Sequence, residues 1–228
     1  MEWITSPNVD TAERAAAEFI ARHLVQAIHD RGHASFAISG GRSPWGMLDQ
    51  LAAQVVTWGA VHLFQVDERI ALLDDEARNW KRFLATALTL QVPRGNLHPM
   101  PVGIGEPGAA AEQYERTLHE WAGEPPMLDV VHLGIGADGH TASLFADDSP
   151  LQETQRSVAV SRSYDGYRRL TLTLPVLNRA RRVVWFAVGA ARRSVLSRLF
   201  NGDTTIPAGL VQRDHATCFT DRQAAPAP

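Results

Sequence analysis

The stretch 131-VHLGIGADGHTASLF-145 joins the end of an apolar run to a glycine-rich turn that carries an acid and a histidine. A short apolar run bounded by glycines is typical of a strand buried on both faces, as in a parallel sheet. Residues 128–136 are therefore predicted to form such a strand. Ligands of open parallel sheets bind beyond the carboxyl ends of the strands, so the residues after 134 are expected to border a binding site.

Similar apolar runs alternate along the chain with segments of helical spacing. This alternation predicts an α/β fold with three αβα layers and a mainly parallel, Rossmann-like doubly wound sheet. The predicted strands are 34–39, 61–66, 128–136, 157–160, 169–174, 182–189 and 216–220. The predicted helices are 9–31, 44–54, 76–89, a segment within 105–123, and 190–200. No internal repeat or Gly/Pro/Ser-rich linker divides the chain, so 1–228 is expected to be a single domain.

The composition excludes several functional classes. The 228 residues are 45% hydrophobic and 21% charged, with a net charge of −3, so the overall charge does not indicate a nucleic-acid partner. No apolar run approaches the roughly 18 residues of a membrane span, and the N-terminus lacks the features of a signal peptide. The single cysteine, Cys218, fits a reducing compartment. We expect a cytoplasmic protein, a monomer or weak homodimer, without nucleic-acid or membrane partners.

Polar segments follow three predicted strands, at 39–43, 67–69 and 134–141, and are expected to meet at one sheet edge. In the first, a glycine turn leads into a helix that begins at Pro44, which predicts an anion site of backbone N–H groups and the helix dipole. Neither the Walker nor the dinucleotide-binding glycine pattern is present, so the anion would be the phosphate of a small metabolite. The alternative is a plain strand-to-helix turn. The candidate residues are Ser39, Gly40, Gly41, Arg42 and Ser43.

The third segment carries the strongest chemical signal. Asp138 and His140 stand two residues apart on a glycine turn, and histidine suits proton transfer near neutral pH. Gly136 would let the backbone approach a ligand, and Thr141 would position its surroundings. The alternatives are a glycine turn with an incidental histidine, or a metal site. The metal site is less favoured because no second histidine stands at ligand spacing.

Arginine is the expected partner of any bound anion, because Lys81 is the only lysine. Arg169 begins a predicted strand, and Arg192 lies in the first turn of a predicted helix, where a cation opposes the helix dipole. Such residues are usually solvated. An anion bound beside Arg192 would offset this unfavourable interaction with the helix dipole. The run Asp67, Glu68, Arg69 is either a solvated turn or a part of the same site.

Six segments in order resemble the 6-phosphogluconolactonase family, of the glucosamine/galactosamine-6-phosphate isomerase superfamily. They are SGGRSP (39–44), DER (67–69), NLHPMP (96–101), LGIGADGHTASLF (133–145), RLTLTLPVLNRAR (169–181) and IPAGLV (206–211). The resemblance implies hydrolysis of a sugar-phosphate lactone, 6-phospho-D-glucono-1,5-lactone, in the oxidative pentose phosphate pathway. It also implies the fold of glucosamine-6-phosphate deaminase and ribose-5-phosphate isomerase, and no metal or organic cofactor.

The resemblance also implies roles for individual residues. His140 would be the base that activates water, with Asp67, Arg69 and Asp138 in the same pocket. The 39–43 turn would hold the phosphate together with Arg169 and Arg192. Three departures from the family pattern are visible: Arg42 replaces a small hydroxyl residue, Arg192 replaces a lysine, and IALLDDEARN (70–79) replaces a proline-rich loop. The last leaves a role for Asn79 plausible and a role for Arg78 in doubt.

Two other functions remain open. A sugar-phosphate isomerase or deaminase of the same fold would carry a glutamate five residues after the histidine, where this chain has Phe145. A non-catalytic sugar-phosphate sensor would keep the phosphate turn and could lose the base, whereas His140 and Asp138 are both present.

Overall fold

The computed structural model describes residues 1–41, 43–103 and 105–226, and Arg42 lies outside them. Two sheets organise this part of the chain. The large sheet has seven strands in the order β1-β10-β9-β6-β2-β3-β5, all paired in parallel. These strands are β1 Glu2–Ser6, β2 Ala34–Ile38, β3 Val61–Gln65, β5 Leu97–His98, β6 Val130–Leu133, β9 Val183–Phe186 and β10 Ala216–Asp221. The small antiparallel sheet contains β4 Asp67–Arg69, β7 Val158–Val160 and β8 Arg169–Leu172.

Helices cover both faces of the large sheet, which confirms the three-layer prediction. They are α1 Val9–Arg31, α2 Pro44–Ala52, α3 Asn79–Phe83, α4 Ala87–Gln91, α5 Pro107–Ala122, α6 Leu174–Arg179 and α7 Arg193–Phe200. Side chains of α1 to α4 pack in one apolar core, and side chains of α5 to α7 pack with the small sheet in a second core. The alternating sides of the buried strands supply both cores, as expected for a sheet covered on each face.

The long helix α1 shows how the sequence specifies its element. The Asn8 side chain accepts a hydrogen bond from the Thr11 N–H at 3.0 Å, and the Thr11 hydroxyl pairs with the Asn8 backbone in return. Small and aliphatic residues recur on one side of the helix and are buried: Ala12, Ala16, Ile20, Leu24 and Ala27. The predicted span 9–31 agrees with the observed one.

The prediction of one helix over 76–89 was wrong, because α3 and α4 are separate. The hydroxyls of Thr86 and Thr89 both bond to the carbonyl of Phe83, at 2.8 and 3.2 Å, and compete with the regular helical pattern there. The short strands β1, β4 and β5 and the helix α6 were not predicted. The predicted strands at 157–160 and 169–174 exist in shortened form, and they lie in the small sheet.

A single residue, Val66, connects the two sheets. Its N–H bonds to the carbonyl of Ile38 in the large sheet at 3.0 Å, and its carbonyl accepts from Leu172 in the small sheet at 2.9 Å. The chain therefore passes from β3 into β4 without a loop. Within the described residues, no helix combines the length and apolarity needed to cross a membrane.

Candidate active site

A cleft of about 450 Å³ lies at the carboxyl ends of β2, β6 and β9, against the small sheet. Most of the predicted site residues line it: Ser39, Gly40, Gly41, Ser43, Asp67, Arg69, Gly136, His140, Thr141, Arg169 and Arg192. Asp138 does not line the cleft and contacts the ring of His140 from behind. Arg42, also predicted, lies outside the described residues.

His140 and Asp138 form a close pair. Nδ1 of His140 lies 2.6 Å from Oδ1 of Asp138, and the histidine side chain is 22% exposed. A carboxylate at Nδ1 fixes the tautomer in which this nitrogen carries the proton, so Nε2 of the neutral ring can accept one. Partial burial acts to raise the pKa of Asp138, but the charge and hydrogen bonds of His140 outweigh it and lower that pKa overall. The acid therefore stays ionised beside the ring.

The turn that carries this pair requires glycine at position 136. A Cβ on Gly136 would lie 2.2 Å from Nδ1 of His140 and 2.6 Å from Oδ1 of Asp138. The Gly136 N–H also donates to the carbonyl of His140 at 2.8 Å, which closes the turn. Gly134, two residues earlier, has open space where a Cβ would stand.

The turn after β2 leads directly into α2. Pro44 is the first residue of the helix, and Ser43 occupies the N-cap position but makes no capping hydrogen bond with its side chain. A Cβ on Gly40 would lie 2.2 Å from the side-chain carbon of Asn79. Gly40 therefore allows Asn79 to pack against the turn.

The residues of β4 alternate between two environments, as strand geometry requires. Asp67 and Arg69 face the cleft, and Asp67 accepts a 2.6 Å hydrogen bond from the hydroxyl of Ser143. Arg69 donates from Nη1 to Oδ1 of Asn79 and to the carbonyl of Ala77. Two flexible charged side chains are thereby held in fixed positions at the cleft wall.

Glu68, between them, is fully buried and points away from the cleft. Its carboxylate accepts from the backbone N–H groups of Arg69, Asn79 and Trp80 at 2.7–2.8 Å. Burial raises the pKa of Glu68, against the lowering effect of these bonds. Glu68 therefore fixes the start of α3 and the position of Asn79. Arg78 lies 3.8 Å from Glu68 and does not line the cleft.

Tyr164 is the main cleft residue that the sequence analysis missed. Its hydroxyl donates to Oδ2 of Asp138 at 3.3 Å, and its ring stacks on Phe145 with centroids 4.2 Å apart. Nη2 of Arg169 donates to its carbonyl at 3.3 Å. Tyr164 lies in the turn between β7 and β8, and the only sequence signal is the Asp165–Gly166 pair typical of a turn. Asn79, Asp165 and Ala142 also line the cleft.

The charged side chains in the cleft lining carry an excess of one positive charge, which favours an anionic ligand. Three arginines, Arg69, Arg169 and Arg192, line it together with two aspartates, Asp67 and Asp165. Arg169 is buried, which lowers its pKa, and its guanidinium also lies 5.6 Å from the ring of Phe145. In the described part of the chain, no three His, Cys, Asp or Glu side chains are grouped as a metal site would need.

The parallel sheet and the cleft at its carboxyl edge define an α/β protein of the class whose ligands bind at the strand ends. Residues 7–220 match the family described as glucosamine-6-phosphate isomerases/6-phosphogluconolactonase, and the chain belongs to this family. A 6-phosphogluconolactonase from Synechocystis is 37% identical over 186 residues, which cover 79% of this chain and 77% of that protein.

Solved structures support the same fold. A 6-phosphogluconolactonase from Shewanella baltica superposes with a TM-score of 0.84 at 24% identity and covers 97% of each chain. A monomeric glucosamine-6-phosphate deaminase also gives 0.84, at 15% identity over 98% of each chain. At these identities the structures establish the fold, which the two activities share, and the side chains of the cleft must distinguish between them.

Proposed function

We propose that this protein hydrolyses 6-phospho-D-glucono-1,5-lactone to 6-phospho-D-gluconate, in the oxidative pentose phosphate pathway. The proposal rests on the family membership, the name of the Synechocystis relative and one geometric observation. That observation is the His140–Asp138 pair, 2.6 Å apart, beside a cleft lined by three arginines and a glycine turn. The substrate is a small phosphorylated molecule, which suits a cytoplasmic enzyme.

In the proposed mechanism, Nε2 of His140 takes a proton from a water molecule as the water oxygen attacks the lactone carbonyl carbon. The tetrahedral intermediate then breaks its bond to the ring oxygen, which receives the proton from the imidazolium. A δ-lactone is already an activated ester, so neither a covalent nucleophile nor a metal is required. Arg69 is the cation on β4 available to stabilise the developing oxyanion.

The phosphate would bind at the other end of the cleft. The turn before α2, with Gly40, Gly41 and Ser43 in the cleft lining, offers backbone N–H groups, and Arg169 and Arg192 supply guanidinium groups. Anchoring the phosphate holds the reacting carbonyl still, which reduces the entropy lost on reaching the transition state. Thr141, whose hydroxyl donates to the carbonyl of Gly134 at 2.9 Å, would keep the histidine turn in register with β6.

The alternative is a sugar-phosphate isomerase or deaminase. That chemistry needs an acid near the histidine to help open the sugar ring, in the position held here by Phe145. The Phe145 ring is buried and its centroid lies 5.0 Å from that of His140. An apolar ring there favours the lactonase.

The direct test measures the decay of phosphogluconolactone, coupled to 6-phosphogluconate dehydrogenase, against the spontaneous rate. We expect acceleration that persists in excess EDTA, and no release of ammonia from glucosamine 6-phosphate. Ammonia release would support the deaminase. Binding of the sugar phosphate without turnover would support the sensor. Loss of activity on chelation, restored by a divalent ion, would require Asp67 and Asp138 to be reassigned as metal ligands.

Arg192→Ala is expected to raise KM roughly 10- to 100-fold, the cost of losing a charged hydrogen bond to phosphate. The matched control is Lys81→Ala. Lys81 is the only lysine, and its ammonium group bonds to the carbonyl of Asp74 and to Glu76, outside the cleft. Steady-state kinetics should show an unchanged KM for this control. The opposite ranking would overturn the assignment of the phosphate to arginines.

Asp138→Asn is expected to lower kcat at least about 10-fold, because an amide no longer fixes the tautomer of His140 in which Nδ1 carries the proton. The lowered pKa of Asp138 keeps the native carboxylate ionised and able to accept this hydrogen bond. Steady-state kinetics measure the effect, and a kcat equal to that of the wild type would show that Asp138 does not orient His140.

A further inference from the structure

A second cleft, of about 500 Å³, lies at the opposite edge of the large sheet. Several of its residues precede the amino ends of β2, β6 and β9, whose carboxyl ends border the first cleft, or of the neighbouring β10. Arg31 precedes β2, Asp129 precedes β6, Arg181 and Arg182 precede β9, and His215 precedes β10. The NRAR segment of the sequence, 178–181, belongs here and has no part in the proposed reaction.

Positive charge dominates this cleft. Four arginines line it, Arg31, Arg179, Arg181 and Arg182, together with two aspartates, which leaves an excess of two positive charges. The protein as a whole carries a net charge of −3. The positive charge of this cleft is therefore a local feature that the overall composition of the protein does not explain.

Both aspartates of the cleft are already engaged. The buried Asp129 accepts from the Ser35 N–H at 2.8 Å and from Nη2 of Arg31, and it lies 3.3 Å from Nε of Arg181. Asp30 is held by Gln26 at 2.7 Å and lies 3.0 Å from Nδ1 of His29. Among the described residues, no carboxylate lies within 4.0 Å of the guanidinium of Arg179 or Arg182. These two cations therefore have no carboxylate in direct contact in this part of the chain, and Nε of Arg179 donates only to the backbone carbonyl of Pro126, at 3.3 Å.

Two histidines share the cleft with Arg182. Burial, and then the charge of Arg182, lowers the pKa of His23 and of His215. Nε2 of His215 is buried and has no hydrogen-bond partner in the described structure. Two neutral rings beside two uncompensated guanidiniums can offer hydrogen bonds to an anion and gain a charge when it binds.

We propose that this second cleft binds a small molecule that carries two or more phosphate groups. Two uncompensated arginines match two anionic groups, and guanidinium forks fit phosphate oxygens in pairs. The volume exceeds that of a single inorganic ion. Binding here would supply the counter-charges that the aspartates do not provide. The site is separate from the proposed active cleft, so it does not depend on the lactonase activity.

The test follows the C2–H proton signals of His23 and His215 by NMR, with pyrophosphate as the probe and sodium chloride at matched ionic strength as the reference. Variants His23→Gln and His215→Gln assign the signals. An anion bound beside the rings favours their charged forms, so the midpoint of each titration should rise by roughly one pH unit beyond the chloride effect. For each variant, the quantity compared is the increment, which is the rise in the titration midpoint when pyrophosphate is added to that variant.

Arg182→Gln should abolish this increment. Arg116→Gln, an exposed arginine on α5, should retain it, and so should Arg192→Gln, which separates this site from the phosphate end of the active cleft. Lactone hydrolysis by Arg182→Gln should equal that of the wild type, which shows that the variant is folded. An increment no larger than that of chloride, or one that persists in Arg182→Gln, would overturn the proposal.

Discussion

Replacing His140 with alanine is expected to lower kcat roughly 100-fold or more, because a positioned general base contributes about 10²–10⁴ in rate. The ring is the only imidazole in the cleft lining that is paired with a carboxylate, among the residues described. His132 also borders the cleft, but its ring is buried and its pKa is lowered to about 3, so it is a poor base. Coupled kinetics with subtraction of the spontaneous rate measure the effect.

The matched control is His29→Ala. His29 also lies beside a carboxylate, at 3.0 Å from Asp30, but its side chain is 82% exposed and lies outside the active cleft. Turnover of this control should equal that of the wild type. Circular dichroism and thermal melting should show that both variants keep the fold. Near-wild-type turnover of His140→Ala would exclude His140 as the base.

Gly136→Ala is expected to lower kcat by a similar factor, about 100-fold, although it removes no side chain from the cleft. The new methyl carbon would lie 2.2 Å from Nδ1 of His140 and 2.6 Å from Oδ1 of Asp138. The ring cannot easily move aside, because Phe145 and Tyr164 lie 5.0 and 5.4 Å from it by centroid. The pair must therefore separate or the turn must shift, and a displacement of about 1 Å can cost 10²-fold.

Gly134→Ala provides the comparison for this variant. It lies in the same cleft lining, but an added Cβ would meet no atom within 4 Å. Its kcat should stay close to that of the wild type. Equal losses in the two variants would indicate a general effect of side chains on the cleft, and would contradict the specific displacement of His140.

The sequence predicted the parts of the site that depend on local patterns. The apolar run before Gly134, the glycine turn before Pro44 and the strand before Asp67 each mark a strand end, and parallel strands bring such ends together. His140 and Asp138 were identified because both lie on one short turn. The alternation of Asp67 and Arg69 with Glu68 would have identified the buried acid, had 67–69 been treated as a strand.

The parts that were missed depend on contacts between distant residues. Ser143 reaches Asp67 across 76 positions of sequence, and Tyr164 reaches Asp138 across 26. The position of Asn79 is set by Glu68, which accepts a hydrogen bond from the Asn79 N–H, and by Gly40, which has no side chain to displace it. No local pattern encodes these pairings, because they arise only when the small sheet packs beside the large one.

The hydrogen bonds of Val66 limit how far the two walls of the cleft can move relative to each other. Because this one residue is bonded into both sheets, the wall that carries Asp67 and Arg69 cannot swing away from the wall that carries His140. The spacing between His140 and Arg69 is therefore set by the backbone. The hairpin tip around Tyr164 lies beyond that link, so its contribution to the cleft depends on contacts such as the 3.3 Å hydrogen bond from the Tyr164 hydroxyl to Asp138.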